Sequence, residues 1–267
     1  MVTSECAYFA GAVVVLTAVW VWVLRSQPFE FLAYAMFFPG AAAFAWSAWK
    51  GSIGNFLWTI SGFDQPLLSA GFSLMSVCIV LGLVQACALV ARGLGWAQRA
   101  EVQGAAIHRH NRNYVMGFLR AAGEEVGWRC FLLPCLLDVY NYRYDQALVI
   151  SGLVWGLFHV PVMALLTRLK RPDQPYATVT VQCLSCLLAA FPHGWVAIKT
   201  GHSLWGASVM HWFWNIYNPR TLGSIYTNTP GRYCGPQWKI NGEGLAGCIV
   251  LAPVAILVCW ELANPIF

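Results

Sequence analysis

The chain has 267 residues, of which 58% are hydrophobic and only 10% are charged, whereas about 25% of residues are charged in an ordinary soluble domain. This deficit excludes a normal water-facing surface. The net charge of +5 does not point to nucleic acid as a partner, because the basic residues lie in separate loops rather than on one continuous surface. We therefore expect a lipid bilayer to surround the chain, as for an integral protein of a bacterial inner membrane or a eukaryotic endomembrane.

Apolar segments that reach or approach the ~20 residues needed to cross a bilayer as a helix recur along the whole chain. About eight spans are predicted, and in chain order they are Ala7–Leu24, Glu30–Trp49, Leu67–Ala91, Tyr114–Leu137, Gln146–Thr167, Tyr176–Ile198, His202–Tyr217 and Gly244–Leu262. The uncharged segment Ile53–Phe63 is too short to span, which predicts an interfacial or re-entrant segment. No repeat or long polar linker divides the chain. The predicted fold class is all-α: one multi-pass transmembrane helical bundle over residues 1–267.

The 10 cysteines do not indicate a disulfide scaffold. Most lie inside apolar segments, where cysteine usually acts as a small hydrophobic side chain; these are Cys78, Cys87, Cys130, Cys135, Cys248 and Cys259. Cys183 and Cys186 form one close pair, which without a second pair is weak support for a metal or redox site. We therefore expect the cysteines to be packed rather than cross-linked.

The basic residues indicate how the chain is oriented. With the N-terminus outside, most of the 16 Lys and Arg residues fall in loops on one side, which the positive-inside rule makes cytoplasmic. The longest polar stretches, Arg92–Asn113 and Asn218–Glu243, both lie on that side. The second is rich in Pro and Gly, so regular structure in it should be short. A mobile loop of this kind beside a functional site could gate the entry of a substrate.

Two adjacent carboxylates, Glu124 and Glu125, lie in the middle of the fourth predicted span. Each costs ~2.5–3.5 kcal/mol to place in hydrocarbon, so both demand an explanation. Glu125 and Arg129 are four residues apart on one helix face, in the acid-first order that favours an ion pair. Glu124 lies ~100° around the helix from Glu125 and is left free to act as a general base or acid. A purely structural cluster is the alternative at this point.

Two later spans carry further polar side chains. His159 lies one turn after Trp155, and Gly156 between them allows close approach of another helix. His211 and Asn215 are four residues apart and therefore share one helix face. A histidine can move a proton or support a base, and His with Asn can donate hydrogen bonds to a developing oxyanion.

Glu124, His159 and His211 are expected at a common depth. Counted from the ends of their predicted spans, they lie ~9–15 Å below the cytoplasmic boundary, on helices that run in different directions. Unrelated structural residues would have no reason to share a layer, so these three are predicted to meet in one site. His193 and His202 fall near the outer ends of their spans and are expected to be structural or interfacial.

The first motif resembles that of the CPBP family of intramembrane proteases, also called the ABI family. This family includes the eukaryotic CAAX prenyl endopeptidase and bacterial proteins linked to bacteriocin processing and immunity. Its Glu-Glu-x-x-x-Arg motif is present as Glu124, Glu125 and Arg129. The Phe131-Leu-Leu-Pro134 that follows is often seen in the bacterial-type branch. The resemblance covers about residues 114–217.

The second and third family motifs follow in the same order. His-x-x-x-Asn is present as His211 and Asn215, whereas Phe-x-x-x-His is present as Trp155 and His159, with Trp in place of Phe. The resemblance implies that a glutamate, aided by a histidine, activates a water molecule that attacks a peptide carbonyl while a His and an Asn hold the oxyanion. The residues implied for these catalytic roles are Glu124, His159, His211 and Asn215. Those implied to support them are Glu125, Arg129 and Trp155.

The sequence leaves open whether this mechanism uses a zinc ion. Glu124, His159 and His211 could in principle ligate Zn²⁺ and leave a position for water. The zinc-protease helix motif His-Glu-x-x-His is absent from the sequence. We favour a metal-free glutamate mechanism without a cofactor and keep zinc as the alternative.

The main hypothesis is therefore an intramembrane endopeptidase that acts near the cytoplasmic face on a membrane-associated peptide or protein, prenylated or not. A non-catalytic membrane scaffold or immunity protein that retains the protease fold is the alternative, because motifs alone do not establish turnover. A transporter with a proton-relay carboxylate would also use buried Glu and His.

Overall fold

The computed structural model describes residues 5–100, 113–139 and 141–264, and in these ranges the chain is a bundle of helices. This confirms the predicted all-α fold class. In chain order the helices are α1 Glu5–Val23, α2 Phe29–Leu32, α3 Phe38–Trp49, α4 Ile53–Ser61, α5 Pro66–Gly93, α6 Tyr114–Gly127, α7 Tyr144–Lys170, α8 Pro175–Lys199, α9 Leu204–Thr221, α10 Gln237–Ile240 and α11 Leu245–Ala263. A 3₁₀ helix, Ala33–Phe37, joins α2 to α3, and π-helical segments Trp128–Leu132 and Cys135–Val139 follow α6.

Six helical segments of the described chain are long and apolar enough to cross a membrane, and the protein is an integral, multi-pass membrane protein. These segments are Glu5–Val23, Phe29–Trp49, Pro66–Gly93, Tyr144–Lys170, Pro175–Lys199 and Gln237–Ala263. The other two predicted spans are also helices, α6 and α9, and they pack against each other. Their lower hydropathy has a physical cause, because they carry most of the candidate site residues.

The loops that were predicted to be cytoplasmic meet at one end of the bundle. Strand β1, Gln98–Arg99, lies in the loop after α5 and pairs antiparallel with β2, Tyr233–Cys234, in the loop after α9. Arg109 and Arg112 of the first loop lie outside the described residues. The short helix α4 is at the opposite end, where Trp205 donates a hydrogen bond to the Ser61 carbonyl oxygen (2.7 Å). With nine residues, α4 is too short to span, as predicted.

Helix α6 lies unusually close to the 3₁₀ helix and α3 because glycines replace side chains at the contact. A Cβ atom on Gly123 would lie 2.8 Å from the Met36 carbonyl oxygen, and one on Gly40 would lie 2.7 Å from the Gly123 carbonyl oxygen. One on Gly127 would overlap Pro39. Small residues four apart let two helix backbones approach in this way. The glycines therefore set the distance of the Glu124 and Glu125 backbone from the neighbouring helices.

The backbone widens into a π-helical segment immediately after α6. Pro134 has no N–H to continue the α-helical hydrogen-bond ladder, which favours an irregular turn upstream of it. Trp128 and Arg129 in this segment are 0% and 1% exposed. The Arg129 carbonyl oxygen accepts a hydrogen bond from His202 Nδ1 (2.9 Å). His202 thus has a structural role, as expected, because it bonds to the backbone of the π-helical segment.

The cysteine prediction is wrong at one position. Cys6 of α1 and Cys135 form a disulfide, with Cα atoms 6.4 Å apart, a separation within the usual range. They are 129 residues apart in the chain, so their spacing carried no signal. They meet because the start of α1 and the end of the α6 segment lie at the same end of the bundle. The other eight cysteines are free, and Cys183 donates a weak hydrogen bond to the Gly156 carbonyl oxygen.

Gly127→Ala should lower the stability of the folded protein, because the new methyl group would overlap Pro39 and force α6 away from α3. Overpacking of this kind costs about 1–3 kcal/mol. Gly82→Ala in α5 is the matched control, since a methyl group there meets no atom within 4 Å. Thermal unfolding of the purified protein in detergent measures the effect. Equal transition temperatures for the two variants would contradict the packing described above.

Candidate active site

Two adjoining cavities lie between α6, α7, α8 and α9. The smaller, of about 50 Å³, is lined by three imidazole rings, those of His159, His193 and His211. The larger, of about 300 Å³, extends from Glu124 to Tyr114, where α6 begins at the end of the bundle that carries the β1–β2 pair. His159 and His211 line both cavities, so the two spaces meet at the predicted site.

Glu124 is held by two tryptophan indoles. Its side chain lines the larger cavity, although only 1% of the residue is exposed. Trp155 Nε1 donates to Glu124 Oε2 over 2.7 Å, and Trp128 Nε1 approaches the same oxygen at 3.4 Å. Within the described part of the chain, no hydrogen bond to the second oxygen, Oε1, is present. One oxygen is therefore fixed while the other is left for chemistry.

Glu125 has a different environment, as helix geometry predicted. Its carboxylate is fully buried between two partners: Arg129 Nε lies 3.2 Å from Oε2, and His211 Nδ1 lies 2.7 Å from Oε1. The Arg129 guanidinium also stacks over the Trp155 ring, 4.1 Å from its centroid. Glu125 thus connects the charge of α6 to the histidine of α9, a link that the sequence motifs did not specify.

The hydrogen bonds of the histidines define which ring nitrogen is available. His159 Nδ1 lies 2.8 Å from the Trp155 carbonyl oxygen, and because a carbonyl can only accept, Nδ1 carries the proton. His211 Nδ1 similarly donates to the Glu125 carboxylate. The Nε2 atoms are left for substrate or water. The Trp155 ring lies 6.0 Å from the His159 ring and 5.6 Å from the His211 ring, centroid to centroid.

Asn215 shares the cavity face of α9 with His211, as the four-residue spacing predicted. It lines both cavities and its side chain is exposed to them. The structure therefore brings the predicted site residues into one region, where they contact each other or line a common cavity: Glu124, Glu125, Arg129, Trp155, His159, His211 and Asn215. Their chemical roles stay predictions.

The exclusion of His193 from the site is wrong. Its ring lies 5.5 Å from that of Trp155 and 6.0 Å from that of His211, and it lines the smaller cavity. His193 Nδ1 donates to the Ala189 carbonyl oxygen (2.8 Å), while the buried Nε2 has no hydrogen-bond partner among the described residues. His193 lies about 9 Å inside the end of α8, beside the rings of Trp155 and His211.

Two site residues from outside the motifs were missed. Glu243, just before α11, lines both cavities and accepts a hydrogen bond from Trp214 Nε1 (3.2 Å). Tyr226 also lines both, and its hydroxyl accepts from Gln182 Nε2 (3.1 Å). Burial raises the pKa of the Tyr226 phenol well above its usual range, so it stays a neutral donor. The one sequence signal was an acidic residue beside the last apolar span.

The loop after α9 is anchored to the bundle by buried amides. Asn218 and Asn241 are 1% and 0% exposed, and Asn218 Nδ2 donates to Asn241 Oδ1 (3.0 Å). Asn241 in turn donates to the Gly223 carbonyl oxygen (2.7 Å) and accepts from the Glu243 backbone N–H (3.0 Å). These bonds hold Glu243 at the cavity. They do not support the idea that this part of the loop is a mobile gate.

The choice between zinc and a metal-free site stays a prediction. In the ranges that the structure describes, no three His, Cys, Asp or Glu side chains are spaced to hold a metal ion. His159 and His211 hydrogen-bond through Nδ1 and keep Nε2 available, as metal-binding histidines also do. The reaction proposed below uses no metal, because the described side chains do not converge on one position.

The comparisons with known proteins agree with the motifs. Residues 113–217 match the family described as Rce1-like, type II CAAX prenyl endopeptidase Rce1-like. This match confirms the resemblance of that segment to the CAAX and CPBP proteases. It also supports a peptidase, because the matched family is one of proteases. The bacterial-type branch stays a prediction. Among curated proteins, no significant match to the chain was found. Tyr226 and Glu243 lie outside the matched segment.

Arg129→Met should destabilise the folded protein by about 3–5 kcal/mol, because it leaves the Glu125 carboxylate buried without its cation. Arg143→Met is the control, since the Arg143–Asp145 pair is solvent-exposed and its loss should have no measurable effect. Chemical denaturation in detergent, followed by Trp fluorescence, gives the comparison. If Arg129→Met unfolded at the wild-type denaturant concentration, the Glu125–Arg129 pair would not be a determinant of stability.

Proposed function

We propose that this chain is an intramembrane endopeptidase that hydrolyses a peptide bond of a membrane-associated substrate with a water molecule activated by Glu124. The observation that carries the proposal is the position of this carboxylate, which lines a buried cavity with one oxygen fixed by Trp155 and the other unbonded in the described structure. A carboxylate so placed can take a proton from water.

Glu124 and His159 are the groups proposed to activate the water. Both line the larger cavity, and because His159 Nδ1 donates to the Trp155 carbonyl oxygen, the neutral ring can accept a hydrogen bond from the water at Nε2. The water donates one proton to Glu124 as its oxygen bonds to the carbonyl carbon. When the C–N bond breaks, the same proton passes from Glu124 to the leaving amine nitrogen. The products are a carboxylic acid and an amine, and no proton is lost or gained overall.

His211 and Asn215 are proposed to stabilise the oxyanion of the tetrahedral intermediate. The Asn215 side-chain amide supplies a neutral donor at the cavity wall. The protonated His211 ring supplies a second donor at Nε2, with its positive charge balanced by Glu125 through Nδ1. Donors held in position before the reaction need little reorganisation as charge develops, and one such donor is typically worth ~10²–10³ in rate.

The larger cavity is the proposed route for the substrate. It reaches from Glu124 to residues at the basic end of the bundle, including Tyr114 and Arg220. Apolar side chains such as Phe29, Val162 and Ile216 also line it. This combination suits a peptide that enters from the cytoplasmic membrane surface, with or without a lipid group attached. The identity of the substrate in the cell is a separate question, and a cleavage screen of prenylated and unmodified peptides addresses it.

Glu124→Gln should reduce peptide cleavage by about 10²–10⁴-fold, because it keeps the size and hydrogen bonding of the side chain but removes the base. Glu5→Gln is the matched control, since Glu5 pairs with Lys50 at the opposite end of the bundle. The assay follows cleavage of quenched fluorescent peptides by purified protein in liposomes. Full activity of Glu124→Gln would reject Glu124 as the base. A wild-type protein inert towards every peptide would favour the non-catalytic scaffold.

Activity should survive treatment with a chelator, and elemental analysis of active protein should find no stoichiometric zinc. The reason is that the described His, Cys, Asp and Glu side chains do not converge on a metal position. Inductively coupled plasma analysis and the cleavage assay are carried out on the same preparation, before and after chelation. Loss of activity on chelation, with recovery on addition of zinc, would replace the glutamate mechanism by a metal-dependent one.

A further inference from the structure

His193 has a buried ring nitrogen without a hydrogen-bond partner in the described part of the chain. The residue lies on α8, lines the smaller cavity and is 5% exposed. Its Nδ1 donates to the Ala189 carbonyl oxygen (2.8 Å), so in the neutral ring Nε2 is an acceptor. No donor among the described residues reaches this Nε2. Because an unpaired polar atom is costly to bury, a donor at Nε2 would stabilise the folded protein.

A second unpaired polar atom belongs to Glu243, which lines the same cavity. Trp214 Nε1 donates to Glu243 Oε1 (3.2 Å), whereas the buried Oε2 has no hydrogen bond of normal geometry with a described residue. The cavity has a volume of about 50 Å³. One water molecule needs about 10–15 Å³ of such space and usually bonds to polar groups that are otherwise unpaired. The smaller cavity is therefore large enough and polar enough to hold a few water molecules.

The smaller cavity lies directly behind the proposed reaction centre. Its far wall includes Val80, Met210 and Leu251, apolar residues that are at most 1% exposed. On the near side, His159 and His211 line both cavities. Water in the smaller cavity would thus be separated from the larger one only by the two histidines that are proposed to act in the reaction.

Hydrolysis needs a source of water that the substrate does not block. Each cut consumes one water molecule, and Glu124, the proposed base, lines the larger cavity. That cavity is also the proposed route of the substrate, so a bound peptide occupies the space through which bulk water would reach Glu124. A second supply from behind His159 and His211 removes this conflict.

We propose that the smaller cavity is a water-binding site, in which His193 Nε2 and Glu243 Oε2 hold water molecules that supply the hydrolytic reaction at Glu124. The supply role rests on the proposed peptidase function, whereas the binding of water does not. His193 is a positioning residue in this scheme, because it bonds to stored water and not to the substrate. Water suits both atoms, since one molecule can donate two hydrogen bonds and accept two.

Two buried methionines allow the water to be detected directly. Met210 lines the smaller cavity and is 1% exposed, whereas Met163 is 0% exposed and lines neither cavity. X-ray irradiation splits water into hydroxyl radicals, which oxidise the side chains beside a bound water molecule, and mass spectrometry measures the methionine sulfoxide formed. In the wild-type protein, Met210 should be oxidised and Met163 should not. Equal protection of the two methionines would show a dry cavity and overturn the proposal.

Variants at residue 193 then test what holds the water and what it does. His193→Leu should reduce the oxidation of Met210, and His193→Gln, which keeps a polar side chain of similar reach, should restore most of it. In the peptide-cleavage assay, His193→Leu should lower kcat by about 10- to 100-fold with KM unchanged, because it removes a hydrogen-bond partner of the water and not of the substrate. His193→Gln should recover most of the lost kcat.

Thr200→Val is the matched control on the same helix. Thr200 is also buried, and its hydroxyl donates to the Val196 carbonyl oxygen four residues earlier (2.8 Å), as His193 does to Ala189, but it lines neither cavity. Its loss should change neither kcat nor the oxidation of Met210.

The outcomes separate this proposal from the proposed function. An unchanged Met210 oxidation in His193→Leu rejects His193 as the group that holds the water. Reduced oxidation with an unchanged kcat overturns the supply role while the peptidase function stands. Oxidation of Met210 in a wild-type protein that cleaves no peptide supports the water site and counts against the peptidase function. The comparison of Met210 with Met163 needs no variant, so it decides whether the cavity holds water even if His193→Leu does not fold.

Discussion

The buried carboxylate of Glu125 is the interaction on which the rest of the site depends. It is 0% exposed and contacts both Arg129, on its own helical segment, and His211, on α9. In a bilayer an isolated charge is expensive, so the three side chains stabilise one another only while α6 and α9 remain packed together. The close approach of α6 to α3 through Gly123 and Gly127 fixes the same helix from the other side.

The same constraint explains why two adjacent glutamates can differ in function. Both carboxylate oxygens of Glu125 are paired, one with Arg129 and one with His211, and the carboxylate holds the His211 ring in one orientation. Glu124, on the next face of the helix, contacts the indoles of Trp155 and Trp128, which are neutral donors. A neutral donor positions a carboxylate without forming an ion pair with it, so the Glu124 side chain is held in place and is not part of the Glu125–Arg129 pair. Trp155 also lies against Arg129, which makes one indole a contact of both carboxylate environments.

Residue spacing in the sequence predicted the features that depend on the geometry of a single helix. The Glu125–Arg129 pair follows from helix periodicity, and the shared layer of Glu124, His159 and His211 followed from counting along apolar spans. Contacts between elements that are far apart in the chain had no such signal. Glu243 reaches the cavity because buried asparagines fold its loop back onto α9. His193 contacts Trp155 of α7 and His211 of α9, and its distance from the span end carried no information on these contacts.

The disulfide between Cys6 and Cys135 has a consequence for the two aqueous compartments. It lies at the end of the bundle opposite the β1–β2 pair and the basic loops. Protein disulfides persist where the surroundings are oxidising and are rare where glutathione keeps thiols reduced. A disulfide at this end agrees with the predicted orientation, in which this end faces the periplasm or an organelle lumen. The basic loops are the reason that the other end is predicted to be cytosolic. Loop charge and the position of the disulfide, two unrelated chemical properties, thus favour the same orientation across the membrane.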